Sequence, residues 1–192
     1  MVDIVVAAVL AVACSFVFLV WNVAYAGPSN ALTPLLPGVQ GLVNGPWFIA
    51  GPLVALVIRK PGAALFGELV AAVISALVGN QWGPTVIISG LVQGLGAELL
   101  FAVFAYRVWT WWTALLAGAL AGVGASVYDL GLIPGLAGSY AGSSPAFEGV
   151  YLVSQAISGA VLAGLLAWLV VRALAATGAL ARFPVGRART AR

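Results

Sequence analysis

The chain reads as an all-α integral membrane protein: six transmembrane helices with both termini cytoplasmic. Three observations carry this. Of its 192 residues 63% are hydrophobic and only 7% are charged, against about 45–50% and about 25% in ordinary soluble domains. Apolar runs of membrane-spanning length recur, separated by breaks rich in Gly and Pro. Finally, all 8 Lys and Arg fall on one side if the chain crosses six times. A water-facing exterior cannot be built from 8 basic and 5 acidic residues, so most of the surface faces lipid.

The helices follow in order. The first covers residues 4–25. Ala24-Tyr25-Ala26 resembles a small-x-small cleavage site, but Asp3 stands where a signal peptide carries Lys or Arg. The apolar run also exceeds the core of about 7–15 residues that such peptides have. It is therefore read as a retained helix. The segment 27–40, rich in Gly, Pro and Asn, is expected to lie on the membrane or fold back over the protein. Helix 2 covers 41–58 and stops at Arg59-Lys60-Pro61, because proline cannot continue a helix from an interior position. Helix 3 covers 62–78 and ends in the breaker-rich turn Gly79-Asn80-Gln81-Trp82-Gly83-Pro84. Helix 4 covers 85–106, helix 5 covers 109–132, and a Gly/Ser/Pro loop leads to helix 6 at 147–175.

Each crossing needs about 20 residues, so six use about 120 and leave about 70 for loops and ends. The chain is thus one membrane domain over 1–192. A six-helix core occupies 1–177, and a basic cytoplasmic tail, expected to be disordered, occupies 178–192. Arg59 and Lys60 lie between helices 2 and 3, Arg107 between helices 4 and 5, Arg172 at the inner boundary of helix 6, and Arg182, Arg187, Arg189 and Arg192 after it. The positive-inside rule makes that side cytoplasmic.

Composition also excludes chemistry. With no His and the single Cys14, neither the usual zinc sites nor His-activated nucleophiles can be assembled. The only Lys, Lys60, is not in a phosphate-binding loop, so the chain does not hydrolyse ATP by that route. No enzymatic activity and no cofactor are expected, and without a basic patch outside the tail no nucleic acid is bound.

The candidate functional groups are the acids inside the apolar runs: Glu68, Glu98 and, near the outer end of helix 5, Asp129. Ionisable groups in a membrane are costly and mark functional sites. No Lys or Arg lies within a run to pair with them, so an imported cation is one way to supply the missing charge. Residue counting puts Glu68 and Glu98 roughly 12–14 Å from the inner face. The outer half gathers Asn44, Trp47, Asn80, Trp82, Gln93, Tyr128, Asp129, Tyr151 and Gln155. Aromatic faces with amide edges suit a flat heteroaromatic ligand, and a carboxylate suits a cation. Two rival readings stay open. One is a proton-coupled secondary transporter of a small cationic or heteroaromatic substrate, with Glu68 and Glu98 as the relay. The other is a membrane scaffold in which the polar set serves only packing. Ala7-x-x-x-Ala11, Gly90-x-x-x-Gly94 and Gly118-x-x-x-Gly122 are small-xxx-small patterns that allow close helix packing.

The stretch from Arg59-Lys60-Pro61-Gly62-Ala63-Ala64-Leu65 through Glu68, then Gly79-Asn80, Gly83-Pro84 and Gln93-Gly94-Leu95-Gly96-Ala97-Glu98, resembles the YkoE family. These are substrate-capture (S) components of energy-coupling-factor (ECF) vitamin transporters, associated with thiamine or its hydroxymethylpyrimidine precursor. The close match covers about residues 45–107; Tyr128-Asp129 and Ser158-Gly159-Ala160 extend it more loosely. The resemblance implies a six-helix S-component fold in the cell membrane. It also implies capture of the ligand from outside and delivery with a separate transmembrane coupling subunit and ATPase subunits. Glu98, Glu68 or Asp129 would then face the cationic or aminopyrimidine part, with Glu98 ranked above Glu68. Gln93, Asn80 and Gln155 would bond ring edges, and Trp47, Trp82, Tyr128 and Tyr151 would stack or close over the ligand. Ala7 and Ala11 match the Ala-x-x-x-Ala surface by which S components meet the coupling subunit.

Overall fold

A computed structural model describes residues 2–136 and 138–190, the last three as backbone alone. All the regular structure among these residues is helical. Four helical stretches are long and apolar enough to cross a membrane: Val2–Ala24, Gly83–Val103, Trp111–Asp129 and Pro145–Ala176. Two shorter apolar ones, Gly45–Ile58 and Ala63–Val78, lie among them. The α-helices are α1 (Val2–Ala24), α2 (Ala26–Leu32), α3 (Ala50–Ile58), α4 (Ala63–Val78), α5 (Val86–Val103), α6 (Trp111–Asp129), α7 (Pro145–Ser158), α8 (Leu166–Ala176) and α9 (Pro184–Thr190).

Helix α1 separates its two faces by residue size. Ala7, Ala11, Cys14, Ser15 and Phe18 recur at helical spacing and are buried, packed on α3 and α4. Val5, Val9, Val12, Phe16, Val20 and Val23 point outward, where a lipid-facing helix needs its bulk. Ala7 and Ala11, expected as a docking surface, are 4% and 0% exposed here, covered by the protein's own helices.

Helix α3 is buried at all nine of its positions. A helix that is apolar all round belongs in an interior, and α1, α4, α5, α6, α8 and α9 all touch it. The expected continuous helix over 41–58 is instead two 3₁₀ turns, Val39–Val43 and Gly45–Phe48, followed by the short α3. Ser158 holds this broken stretch. Its hydroxyl accepts from the Gly45 N–H at 2.8 Å and donates to the Leu42 carbonyl at 2.6 Å.

Helix α6 is a ridge of small residues clamped between two neighbours. A Cβ added at Gly96 would strike the backbone at Leu120, and one at Gly124 the backbone at Val92. One at Gly118 would strike the backbone of Gly159, and one at Gly122 that of Gln155. Such approaches let van der Waals contact hold helices in a solvent as apolar as they are. Between α7 and α8 the rod winds as a π-helix, Gly159–Leu165, against the close-packed part of α6.

Charged groups collect at one end. Asp3 at the start of α1 pairs with Lys60 beyond α3, and the Arg59 guanidinium lies 5.7 Å from the centroid of the Trp109 ring. The disorder expected of the tail does not hold over its first part. Leu180 and Phe183 are 5% and 7% exposed within the core, and α9 returns against α3 and α8. The segment 27–40 does fold back, as α2 and a turn. Arg192 and the side chain of Arg189 lie outside the described residues.

Gly118→Ala is expected to lower stability by about 1–3 kcal/mol through overpacking. Gly149→Ala, where a Cβ meets nothing within 4 Å, should leave stability equal or slightly raised. Thermal unfolding of the two variants in detergent checks this.

Candidate functional site: an aromatic cavity at one end of the bundle

The three apolar-run acids have three separate fates. Glu98 serves the start of α4. The N-cap there is Gly62, in the left-handed region at φ 82° and without a side chain to cap the helix. Glu98 supplies what is missing. Its Oε1 accepts from Gly62 N at 2.6 Å, and its Oε2 from Ala64 N at 2.9 Å and Leu65 N at 3.2 Å. The Tyr106 hydroxyl adds a fourth donor at 2.7 Å. A carboxylate at a helix start is stabilised by the free N–H groups and by the helix dipole.

Glu68 does the same for α3. That helix begins at Ile49 without a side-chain cap, and Glu68 Oε2 accepts from Gly51 N at 2.6 Å. The residue is fully buried, and its Oε1 has no partner among the described residues. Neither glutamate lines the cavity described next. The placement of both as ligand-facing acids, and the rank of Glu98 above Glu68, are corrected: Glu98 is taken up by the exposed start of α4 and Glu68 by the buried start of α3.

Asp129 is different. It closes α6 and stands on the wall of a cavity of about 120 Å³. Its Oδ2 accepts from the Tyr151 hydroxyl and from Gln155 Nε2, both at 2.8 Å. No Lys or Arg lines this cavity, so its one carboxylate has no counter-charge there.

Of the residues singled out from the sequence, Asn44, Trp47, Trp82, Gln93, Tyr128, Asp129 and Tyr151 line the cavity together. Gln155 does not; it sits behind Asp129 and orients it. Asn80 does not either, because its amide is used locally: Oδ1 accepts from Trp82 N at 2.8 Å and Nδ2 donates to Ser75 O at 3.2 Å. It shapes the turn that presents Trp82.

Two aromatic clusters flank the space. Tyr25, Trp47 and Trp82 form one, with centroids 4.8, 5.0 and 6.0 Å apart. Trp47 is aimed by its indole N–H, which donates to Asn22 Oδ1 at 2.8 Å, while Asn22 Nδ2 donates to Ser75 Oγ at 3.2 Å. Burial pushes the Tyr25 phenol up to about 12, so it stays neutral. Tyr140, Phe147 and Tyr151 form the second cluster, at 4.9 to 5.6 Å. Of this cluster, Tyr140 and Tyr151 reach the cavity wall.

Sequence reasoning did not single out Asn22, Tyr25, Ser89 or Tyr140 as ligand contacts, although all four line the cavity. Asn22 and Tyr25 sit three apart at the end of α1, a spacing that shares a face. Tyr140 lies in a Gly/Ser loop and reaches the cavity because its N–H bonds the Asp129 carbonyl at 2.8 Å. No local pattern announces that bond.

Comparison with known proteins agrees with this architecture. A solved structure described as a crystal structure of an S-component of an ECF transporter superposes with a TM-score of 0.86 at 36% identity, covering 99% of this chain and 92% of that one. The YkoE protein of Bacillus subtilis (strain 168), described as an HMP/thiamine permease, is 39% identical over 174 residues, which are 90% of this chain and 85% of that protein. The chain belongs to the YkoE family of ECF transporter S components. Residues 2–124 also match the family model of the ABC-type cobalt transport system, permease component. Among the described residues no three His, Cys, Asp or Glu side chains gather as metal ligands. As a YkoE-family S component the protein is a multi-pass membrane transport subunit and not an enzyme.

Glu98→Ala is expected to lower thermal stability by about 0.5–2 kcal/mol, the range for a lost helix cap. Glu98→Gln, which keeps acceptor and length, should recover part of that loss in the same thermal unfolding assay.

Proposed function

We propose that this S component captures thiamine or its hydroxymethylpyrimidine precursor from outside the cell and delivers it inward with a separate ECF coupling subunit and ATPase subunits. The observation that carries the reading is the Asp129 carboxylate on the wall of an aromatic cavity without a cationic side chain. Thiamine is a cation with two aromatic rings. It brings the missing charge and offers flat faces to Trp47, Trp82, Tyr128 and Tyr151. Gln93, whose Nε2 donates to Ser89 Oγ at 2.7 Å, holds its amide on the same wall for a ring edge.

In this reading the chain crosses the cytoplasmic membrane six times, with α3 and α4 as the two short crossings and both termini inside. The charge pattern supports that orientation. Arg59 and Lys60 lie at the end of the bundle that holds the start of α1, while the cavity is lined from the later turns of α4, by Ala72 and Ser75. The cavity then opens to the outside. The protein tilts against its coupling subunit to release the ligand, and the ATPases supply the energy that a chain without a phosphate-binding loop cannot.

Purified protein is expected to bind thiamine, and Asp129→Asn to weaken that binding by about tenfold or more, the scale of one lost charge-assisted contact. Titration calorimetry of both proteins checks it. Equal affinities would remove the charge argument, and absence of thiamine binding by the wild type would remove the proposal.

A further inference from the structure

Two tryptophans of the cavity wall are aimed from one residue of α4, Ser75. The first arm begins at Trp47. Its indole N–H can only donate, and it donates to Asn22 Oδ1 at 2.8 Å. That fixes which way the Asn22 amide faces. Its Nδ2 is thereby turned to α4, where it donates to Ser75 Oγ at 3.2 Å. The second arm begins at Trp82. Its backbone N–H, again a donor only, reaches Asn80 Oδ1 at 2.8 Å, and Asn80 Nδ2 donates to the Ser75 carbonyl at 3.2 Å. Ser75 thus holds one asparagine by its side chain and the other by its backbone. An amide suits both arms, because one end accepts while the other donates.

Asn22 holds a ring and not the chain that carries it. The backbone before Trp47 is fixed by other bonds: Trp21 Nε1 donates to the Val43 carbonyl at 2.9 Å, and the Ser158 hydroxyl holds Leu42 and Gly45. What those bonds leave free is rotation of the indole about its side-chain torsions. The ring plane matters there. Trp47 is tilted at 52° to Tyr25 and stands edge-on at 86° to Trp82, with centroids 4.8 and 5.0 Å away. Turned to another plane, the ring would lose both contacts and change the surface it gives the cavity wall.

We propose that Asn22 is a positioning residue of the ligand site: anchored on Ser75, it locks the plane of the Trp47 ring and so sets the stacking surface that a flat heteroaromatic ligand meets. The inference rests on the thiamine reading and goes beyond it by assigning a role to a residue that acts through another. Asn22 works through the indole N–H, so its contribution vanishes when that N–H is absent. Asn22 also lines the cavity, and a direct contact with the ligand would instead persist whatever stands at position 47.

The test is a double-mutant cycle, with thiamine affinity measured by titration calorimetry on wild type, Asn22→Ala, Trp47→Phe and the double variant. Asn22→Ala should weaken binding about fivefold, the scale of one net hydrogen bond. Once residue 47 is Phe, the same change should cost less than about twofold. An equal loss in both backgrounds overturns the proposal, as does an Asn22→Ala protein that binds like wild type. Where either single variant fails to fold or binds too weakly to measure, Ser75→Ala decides, because it removes the anchor of Asn22 and leaves the carbonyl that holds Asn80. It should weaken binding about twofold to threefold and shift the indole N–H proton resonance of Trp47 in the ligand-free protein; an unchanged affinity or an unshifted resonance overturns the proposal. These failures leave the thiamine reading standing, whereas a wild type that binds no thiamine overturns that reading and this inference with it.

Discussion

Every helix start presents backbone N–H groups that the helix itself leaves without partners and that lipid cannot satisfy. That constraint organises this protein. Where a helix begins with Thr110 or Ser144, the side chain of that residue accepts the bond. Helices α3 and α4 begin at Ile49 and Gly62, which have nothing to offer. Their N-termini are completed from neighbouring helices, by Glu68 from α4 and by Glu98 from α5. Two of the carboxylates that look most like transport chemistry are therefore consumed in holding short helices in place.

Asp129 is spared because it lies at the end of α6, where the backbone presents carbonyls and not free N–H groups. Its donors are side chains, Tyr151 and Gln155, both on α7. They reach it because α6 touches α7 backbone to backbone at Gly122 and Gln155, and touches the π-helix at Gly118 and Gly159. Close packing in the middle of the bundle thus aligns the polar groups at its end. The 3₁₀ turns before α3, tied down by Ser158, complete the wall with Asn44 and Trp47. Scaffold and cavity are one device: residues without bulk bring the helices close, and residues with hydrogen-bonding edges line the gap that is left.

The selection of Trp47, Trp82, Gln93, Tyr128, Asp129 and Tyr151 as cavity residues was legible because polar and aromatic side chains are rare in so apolar a chain and sit at helix ends on one side. The Tyr151–Gln155 pairing was legible as well, since four residues on a helix share a face. Depth misled for the glutamates. Residue counting measured how far along a helix they lie, but not which partner awaits them there. The pattern Ala7-x-x-x-Ala11 is limited in a related way: it marks a close helix contact without saying whether the neighbour is the same chain or another.

Composition, hydropathy and the spacing of breakers determined by themselves that this is a helical membrane protein with neither a phosphate-binding loop nor a His-activated nucleophile, because those properties depend on which residues are present and how they recur. The tertiary structure alone decided which acid serves a helix start and which faces an open space. It also decided that a run of nine apolar residues becomes a wholly buried α3 and that a basic tail folds back on Leu180 and Phe183. Those outcomes depend on the free N–H groups and apolar surfaces that distant segments bring to the same place, and no local pattern records that.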